Sequence, residues 1–117
     1  MNIHKDKVNL IIGLCDDEMN THNRVEKMLD DYADMHDLNI RLIHYVSAKE
    51  LLDAKDDLDF LLLDIDMPEM DGIEAAHKLR DWGIDYKIIM LTAREDRYRE
   101  AFKIRAFRFV PKPIEKT

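Results

Sequence analysis

Two hydrophobic periods alternate along the chain. Residues 8–14 (VNLIIGL) form a short apolar run that stops at an acidic cluster, the pattern of a buried strand. Over 18–36 the apolar residues Val25, Met28, Leu29, Tyr32 and Ala33 recur at helical spacing and make one stripe. Residues 40–46 (IRLIHYV) alternate in part and are β-rich, as expected of an edge strand. Ser47 and Glu50 then form a capping box, which predicts a short helix to about residue 54. Residues 58–63 (LDFLLL) read as another buried strand. Ile73, Ala76, Leu79 and Arg80 space like a helix that Gly83 ends as a left-handed cap. Residues 87–91 (KIIML) predict a fourth strand. Tyr98, Ala101 and Phe102 predict a fourth helix over about 95–105, and 107–110 a short fifth strand. Pro111 and Pro113 bar regular continuation.

Strands alternating with helices predict an α/β fold with a parallel sheet covered on both faces. Right-handed crossovers prune the arrangements. The flavodoxin-like doubly wound order 2-1-3-4-5 is the common five-strand solution. Its ligand crevice lies at the carboxyl ends of strands 1 and 3. The polar residues gather at that edge. Strand 1 runs into Asp16-Asp17-Glu18, strand 3 into Asp64, strand 4 into Thr92 and strand 5 into Lys112.

Taken singly, each has a plain structural reading. Asp16 to Glu18 suit the positive end of a helix dipole, and a strand-end Thr, Lys or Asp is common. Together they suggest chemistry. Three clustered carboxylates repel unless a cation joins them, and Mg2+ accepts one or two carboxylates with water and phosphate oxygens. A carboxylate nucleophile, a divalent ion, a lysine and a hydroxyl are the parts phosphoryl transfer needs.

Charge narrows the classes. The 117 residues carry a formal charge of −7, which argues against bulk nucleic-acid binding by this domain. The acidity is uneven: residues 1–60 hold 7 basic and 14 acidic residues, and 61–117 hold 11 of each. Residues 94–112 carry seven basic against three acidic residues, either a solvated helix face or an interaction surface. The length suits one domain. One cysteine, Cys15, allows no internal disulfide, and no stretch approaches a membrane span or a signal peptide. A reducing, cytoplasmic setting is expected. Cys15 reads as a small buried hydrophobe, and the five histidines show no zinc spacing.

The acid pair in LCDDE, Asp64 in LLLDIDMPEMDG, Thr92-Ala93 in MLTA, and Lys112-Pro113 together resemble a response-regulator receiver domain of the CheY-like family. The resemblance covers about residues 8–114. It implies that Asp64 is the phosphoacceptor, served by a histidine kinase or phosphotransfer protein. It implies Mg2+ (or Mn2+) held by Asp16, Asp17, Asp64 and the main-chain carbonyl of Asp66, with Thr92 and Lys112 on the phosphoryl group and a cis Lys112–Pro113 peptide. It further implies a switch in which Thr92 moves and Phe109 fills its space, changing the helix 4 and strand 5 surface. Residues 94–109 would then serve a phosphorylation-dependent homodimer. Asp66 and Arg94, each two residues past a site residue, would tune phosphate lifetime. CDDE and AFKIRAFRFVPKPI resemble the receivers that precede LytTR DNA-binding domains, and so point to transcriptional output.

The sequence departs from the family in four places. Phe109 lacks the frequent tyrosine hydroxyl, Arg105 stands where glycine is common, Pro111 precedes Lys112, and only residues 114–117 follow where a fifth helix is expected. That suggests the N-terminal fragment of a longer regulator, with open apolar surface near strand 5. Two rivals remain: a pseudo-receiver that only binds protein, and a haloacid-dehalogenase-type hydrolase using Asp64 and Asp66 as its DxD pair.

Overall fold

The computed structural model describes residues 8–93, 95–97, 99 and 103–114. Five parallel strands form one sheet in the order β2-β1-β3-β4-β5. They are β1 (Asn9–Cys15), β2 (Asn39–Tyr45), β3 (Phe60–Asp64), β4 (Lys87–Thr92) and β5 (Arg108–Pro111). The connecting helices are α1 (Met19–His36), α2 (Ala48–Ala54) and α3 (Gly72–Asp81). The flavodoxin-like order is therefore as expected, and the strand frames shift by one or two residues. β3 begins at Phe60 and ends on Asp64 itself, so the acid is the last residue of the ladder. β5 extends through Pro111, which stands opposite Thr92 at the sheet edge, where a proline costs no ladder donor.

Local chemistry sets the helix ends. Ser47 Oγ accepts from the Glu50 N–H at 3.1 Å, and Asp71 Oδ1 accepts from the Glu74 N–H at 2.9 Å. Gly83 follows α3 at φ 77°, a conformation glycine adopts without strain. Gly72 is demanded by packing. A Cβ there would lie 2.1 Å from the Asp64 carbonyl oxygen, because α3 starts against the end of β3.

The fourth predicted helix, over about 95–105, falls partly outside the described residues, where Arg94, Tyr98, Ala101 and Phe102 lie. Within it Glu95–Arg97 form a 3-10 turn, Arg99 is α-helical, and residues 103–105 form a turn in which Arg105 takes φ 58°, so the helix does not run the full predicted length. Tyr32 is corrected: it is 52 % exposed, and the buried face of α1 is Thr21, His22 and Val25.

The two sheet faces are covered unequally. The larger core packs β-strand residues such as Leu61, Leu63, Ile88 and Met90 against Leu51, Ala76 and Leu79 of α2 and α3. On the α1 face the buried apolar cluster is small, Leu14, Val25 and Leu91, with Leu62, Ile89 and Val110 half-covered around them.

Candidate functional site

The carboxyl ends of β1 and β3 bring the predicted acids together. Asp16 follows β1 and is 0 % exposed, and Asp64 closes β3 at 2 % exposed. Asp17 and Glu18 are exposed beside them. One carboxylate oxygen from each of these four residues lies within 4.8 Å of the others. A cleft of about 400 Å³ opens over this edge, lined by Glu18, Thr21, Arg24, Asp64, Asp66, Ala93 and Lys112 among others.

Lys112 enters from beyond β5. Its Nζ lies 3.0 Å from Asp16 Oδ2, 2.9 Å from Glu18 Oε1 and 3.6 Å from Asp64 Oδ1. Its N–H donates to the Thr92 carbonyl at 3.0 Å, which ties the approach of the lysine to the end of β4. The Lys112–Pro113 peptide is cis, as the sequence resemblance implied. Thr92 is buried at the end of β4. Phe109, one residue before Val110 on β5, packs half-buried against the larger core and pairs in register with Met90.

The charges are unevenly compensated. Burial pushes the Asp64 carboxyl up to about 7, with the charge of Asp16 adding to the rise and Lys112 opposing it. Burial pulls Lys112 down, but hydrogen bonds to Glu18 and Asp16 and the charge of Asp64 leave it above its ordinary value. Asp16 has a partner on each oxygen: Oδ1 accepts from the Glu18 N–H at 2.8 Å and Oδ2 from Lys112. Asp64 differs. Its Oδ2 is buried and has no hydrogen-bond partner among the described residues.

An orphaned buried carboxylate oxygen inside a four-acid cluster fits a hard divalent cation, for which oxygen donors are the proper ligands. A carboxylate oxygen can also act as a nucleophile, and Asp64 presents its carboxylate beside the Lys112 cation. Cys15 is no competitor. Burial, then the charges of Asp16 and Asp64, push its thiol up to about 12, so it stays protonated and packs against Met67.

Several pairings escaped the sequence. Glu18 shares Lys112 with Asp16, and only its place in CDDE hinted at that. Asp71 caps α3 and also accepts from Arg97 Nη2 at 2.9 Å. Arg97, read as part of an intermolecular basic patch, therefore pairs within the chain, and its Nη1 lies 3.8 Å from Asp66 Oδ1. His22 touches the main chain of Asp16 from α1. Its partner His44 lies 22 residues away, so no spacing motif existed to be read.

This fold and this acid edge define a class, and the comparisons agree with it. Residues 12–117 match the model of the response regulator receiver domain, and the chain belongs to that family, the receivers of two-component signalling. The transcriptional regulatory protein CiaR of Streptococcus pneumoniae is 29 % identical over 106 residues, which are 88 % of this chain and 45 % of that protein. The response regulator MprA of Mycobacterium leprae is 46 % identical over 50 residues, 43 % of this chain and 22 % of that protein. The chain thus spans less than half the length of these curated relatives. Among solved structures, the chemotaxis protein CheY4 of Vibrio cholerae superposes with TM-score 0.76 at 21 % identity, covering 92 % of this chain and 90 % of its own. The response regulator TrrA of Thermotoga maritima, solved with Mg2+ and BeF, gives TM-score 0.75 at 27 % identity, covering 88 % and 86 %. Among the described residues no helix is long and apolar enough to cross a membrane.

Proposed function

We propose that this domain accepts a phosphoryl group on Asp64 from a histidine kinase or phosphotransfer protein and passes the change to an output domain. The observation that carries the reading is the buried, unpartnered Asp64 Oδ2 beside Lys112. That oxygen attacks phosphorus, the P–N bond to the donor imidazole breaks, and the product is an acyl phosphate. Asp16, Asp17 and Asp64, with the main-chain carbonyl of Asp66, would hold Mg2+ or Mn2+. The ion, when bound, neutralises charge on the transferring group. Lys112 holds the phosphoryl oxygens on the other side, and the Thr92 hydroxyl donates to them.

The new group brings nearly two negative charges. Lys112 is shared by Asp16, Glu18 and Asp64, so added charge at Asp64 redistributes its contacts and pulls on the Thr92 main chain to which it is bonded. Movement of Thr92, accommodated by Phe109, would alter the surface of residues 94–109. That surface would then serve dimerisation or an output domain, in a cytoplasmic regulator longer than this chain. The greater length of the curated relatives, one named as transcriptional, supports transcriptional output. It lends nothing to the LytTR type over others.

The test is incubation with acetyl phosphate and Mg2+, read by intact mass. A gain of about 80 Da that Asp64→Asn abolishes is the expected result. Catalytic turnover of a small phosphate ester would favour the hydrolase reading, and no adduct at all would leave a protein-binding module. For the dimer, sedimentation of the beryllofluoride form at tens of micromolar decides: a monomer removes residues 94–109 as a self-interface.

A further inference from the structure

His22 is a titratable side chain that the proposed chemistry leaves unused, yet it is 1 % exposed and both its ring nitrogens are engaged. Nε2 lies 2.7 Å from the carbonyl oxygen of Asp16. Nδ1 lies 2.7 Å from Nδ1 of His44 on β2. The rings are tilted, with centroids 4.9 Å apart. On the far side, His44 Nε2 faces Glu26 Oε1 of α1 at 3.6 Å.

Hydrogen-bond chemistry assigns the protons. A carbonyl oxygen only accepts, so His22 Nε2 must carry hydrogen. In the neutral ring His22 Nδ1 is then bare and accepts, so His44 Nδ1 must carry hydrogen. His44 Nε2 is left bare towards Glu26. The arrangement therefore holds His22 as a donor to Asp16.

We infer that His22 and His44 are positioning residues for the acid cluster: His44 fixes the His22 tautomer, and His22 fixes the main chain of Asp16. The Asp16 N–H donates to the Tyr45 carbonyl at 3.1 Å, so the residue is held on both sides of its carboxylate by β2, directly and through the two imidazoles. Such a tie has work to do. Lys112 supplies one positive charge against four clustered carboxylates, so they still repel one another, and a main-chain tie helps to hold the segment that carries three of them. A cluster already in place loses less freedom on taking up an ion, so the relay raises affinity for a divalent cation. Had His22 been Nδ1–H, its bare Nε2 would face the Asp16 carbonyl lone pairs and push that segment away.

The inference rests on the receiver reading for its ligand, and two measurements on the full chain separate the two. Long-range 15N–1H spectra at pH 8, above the ordinary imidazole range, are expected to show His22 as Nε2–H and His44 as Nδ1–H. Mg2+ titration, followed by the amide shifts of Asp17 and Glu18, is expected to give about tenfold weaker binding for His44→Leu. His44→Asn, whose amide can donate near the position of Nδ1, should recover most of it. His22 found as Nδ1–H overturns the inference, even if His44→Leu fails to fold. So does a folded His44→Leu that binds Mg2+ as tightly as the parent. A parent chain that shows the expected tautomers and binds no Mg2+ would instead sink the metal reading of the acid cluster.

Discussion

The half of the sheet built from β2, β1 and β3 and the half that follows β4 are held by different forces. β1 pairs with β2 along all seven of its residues, and Leu14, Leu61 and Leu63 are completely buried between helices. β5 is four residues long with no fully buried member. In the described part of the segment between β4 and β5, one apolar side chain, Ile104, is buried. Cations tie this region to the rest. Arg80 of α3 donates to the carbonyls of Ile104 and Ile84 at 2.9 and 3.1 Å, Arg97 reaches Asp71, and Lys112 reaches Asp16 and Glu18. Apolar packing is indifferent to a change of charge, whereas a lysine shared among carboxylates is not. The first half is therefore a scaffold, and under the proposed function the second is the part that a dianion on Asp64 would rearrange.

The largest effect expected is in the scaffold. Leu61→Ala should cost about 2–5 kcal/mol in a denaturant melt, because a fully buried leucine leaves a cavity in a close-packed core. Phe109→Leu, in the half-buried β5, should cost about 1 kcal/mol. Equal costs would erase the distinction. Next comes Lys112→Met, which strands Asp16 and Asp64 without their cation and should cost about 3 kcal/mol in metal-free buffer. Mg2+ should restore part of that loss. A deficit that Mg2+ leaves untouched would place the role of the lysine in packing instead of charge.

The pH dependence is smaller and has a definite sign. Asp64 is pushed up to about 7 by burial and by Asp16, against about 4 when unfolded. The folded state thus binds more protons between those values, and stability falls as pH rises through that window and levels off above it. Between pH 6 and pH 8 this group alone should remove roughly 1 kcal/mol in the absence of metal, and Asp64→Asn should abolish that slope. An unchanged slope in the variant would assign the dependence to other groups.

Much of the scaffold was legible because burial imposes periods of 2 and 3.6 on the residues themselves. The acids could be placed because strand ends in a parallel sheet share one edge. Tyr32 fell within the α1 stripe but is exposed, because α1 buries only its first turns, at Thr21, His22 and Val25, and its later residues are at most half-buried. The ends of the 95–105 segment were not legible, because the 3-10 turn at Glu95–Arg97 and the left-handed Arg105 are conformations that no periodicity announces. The His22–His44 pair and the Arg97–Asp71 pair were invisible for a common reason. Each joins two elements whose separation in sequence carries no pattern, and only the fold makes them neighbours.

The smallest expected effect probes that last pair and bears most directly on the comparison. Arg97 is 17 % and Asp71 23 % exposed at the side chain, so solvent screens their contact and a double-mutant cycle should give a coupling of about 0.5–1 kcal/mol. Asp71 also caps α3, and its carboxyl lies below its ordinary value because hydrogen bonds from the Glu74 N–H and Arg97 outweigh its burial. Asp71→Ala should therefore cost more than Arg97→Ala, by the roughly 1 kcal/mol of a lost cap. The kinetic consequence would exceed the thermodynamic one. Arg97 links the turn after β4 to the loop carrying Asp66, and both flank Asp64. Under the proposed function, Arg97→Ala frees that link and should change the lifetime of the acyl phosphate severalfold while the melt scarcely moves. Arg97→Lys, which keeps the charge but not the forked reach, should fall between. A lifetime unaltered in Arg97→Ala would show that the link braces the fold and that the cations tying down the second half do not all take part in the switch.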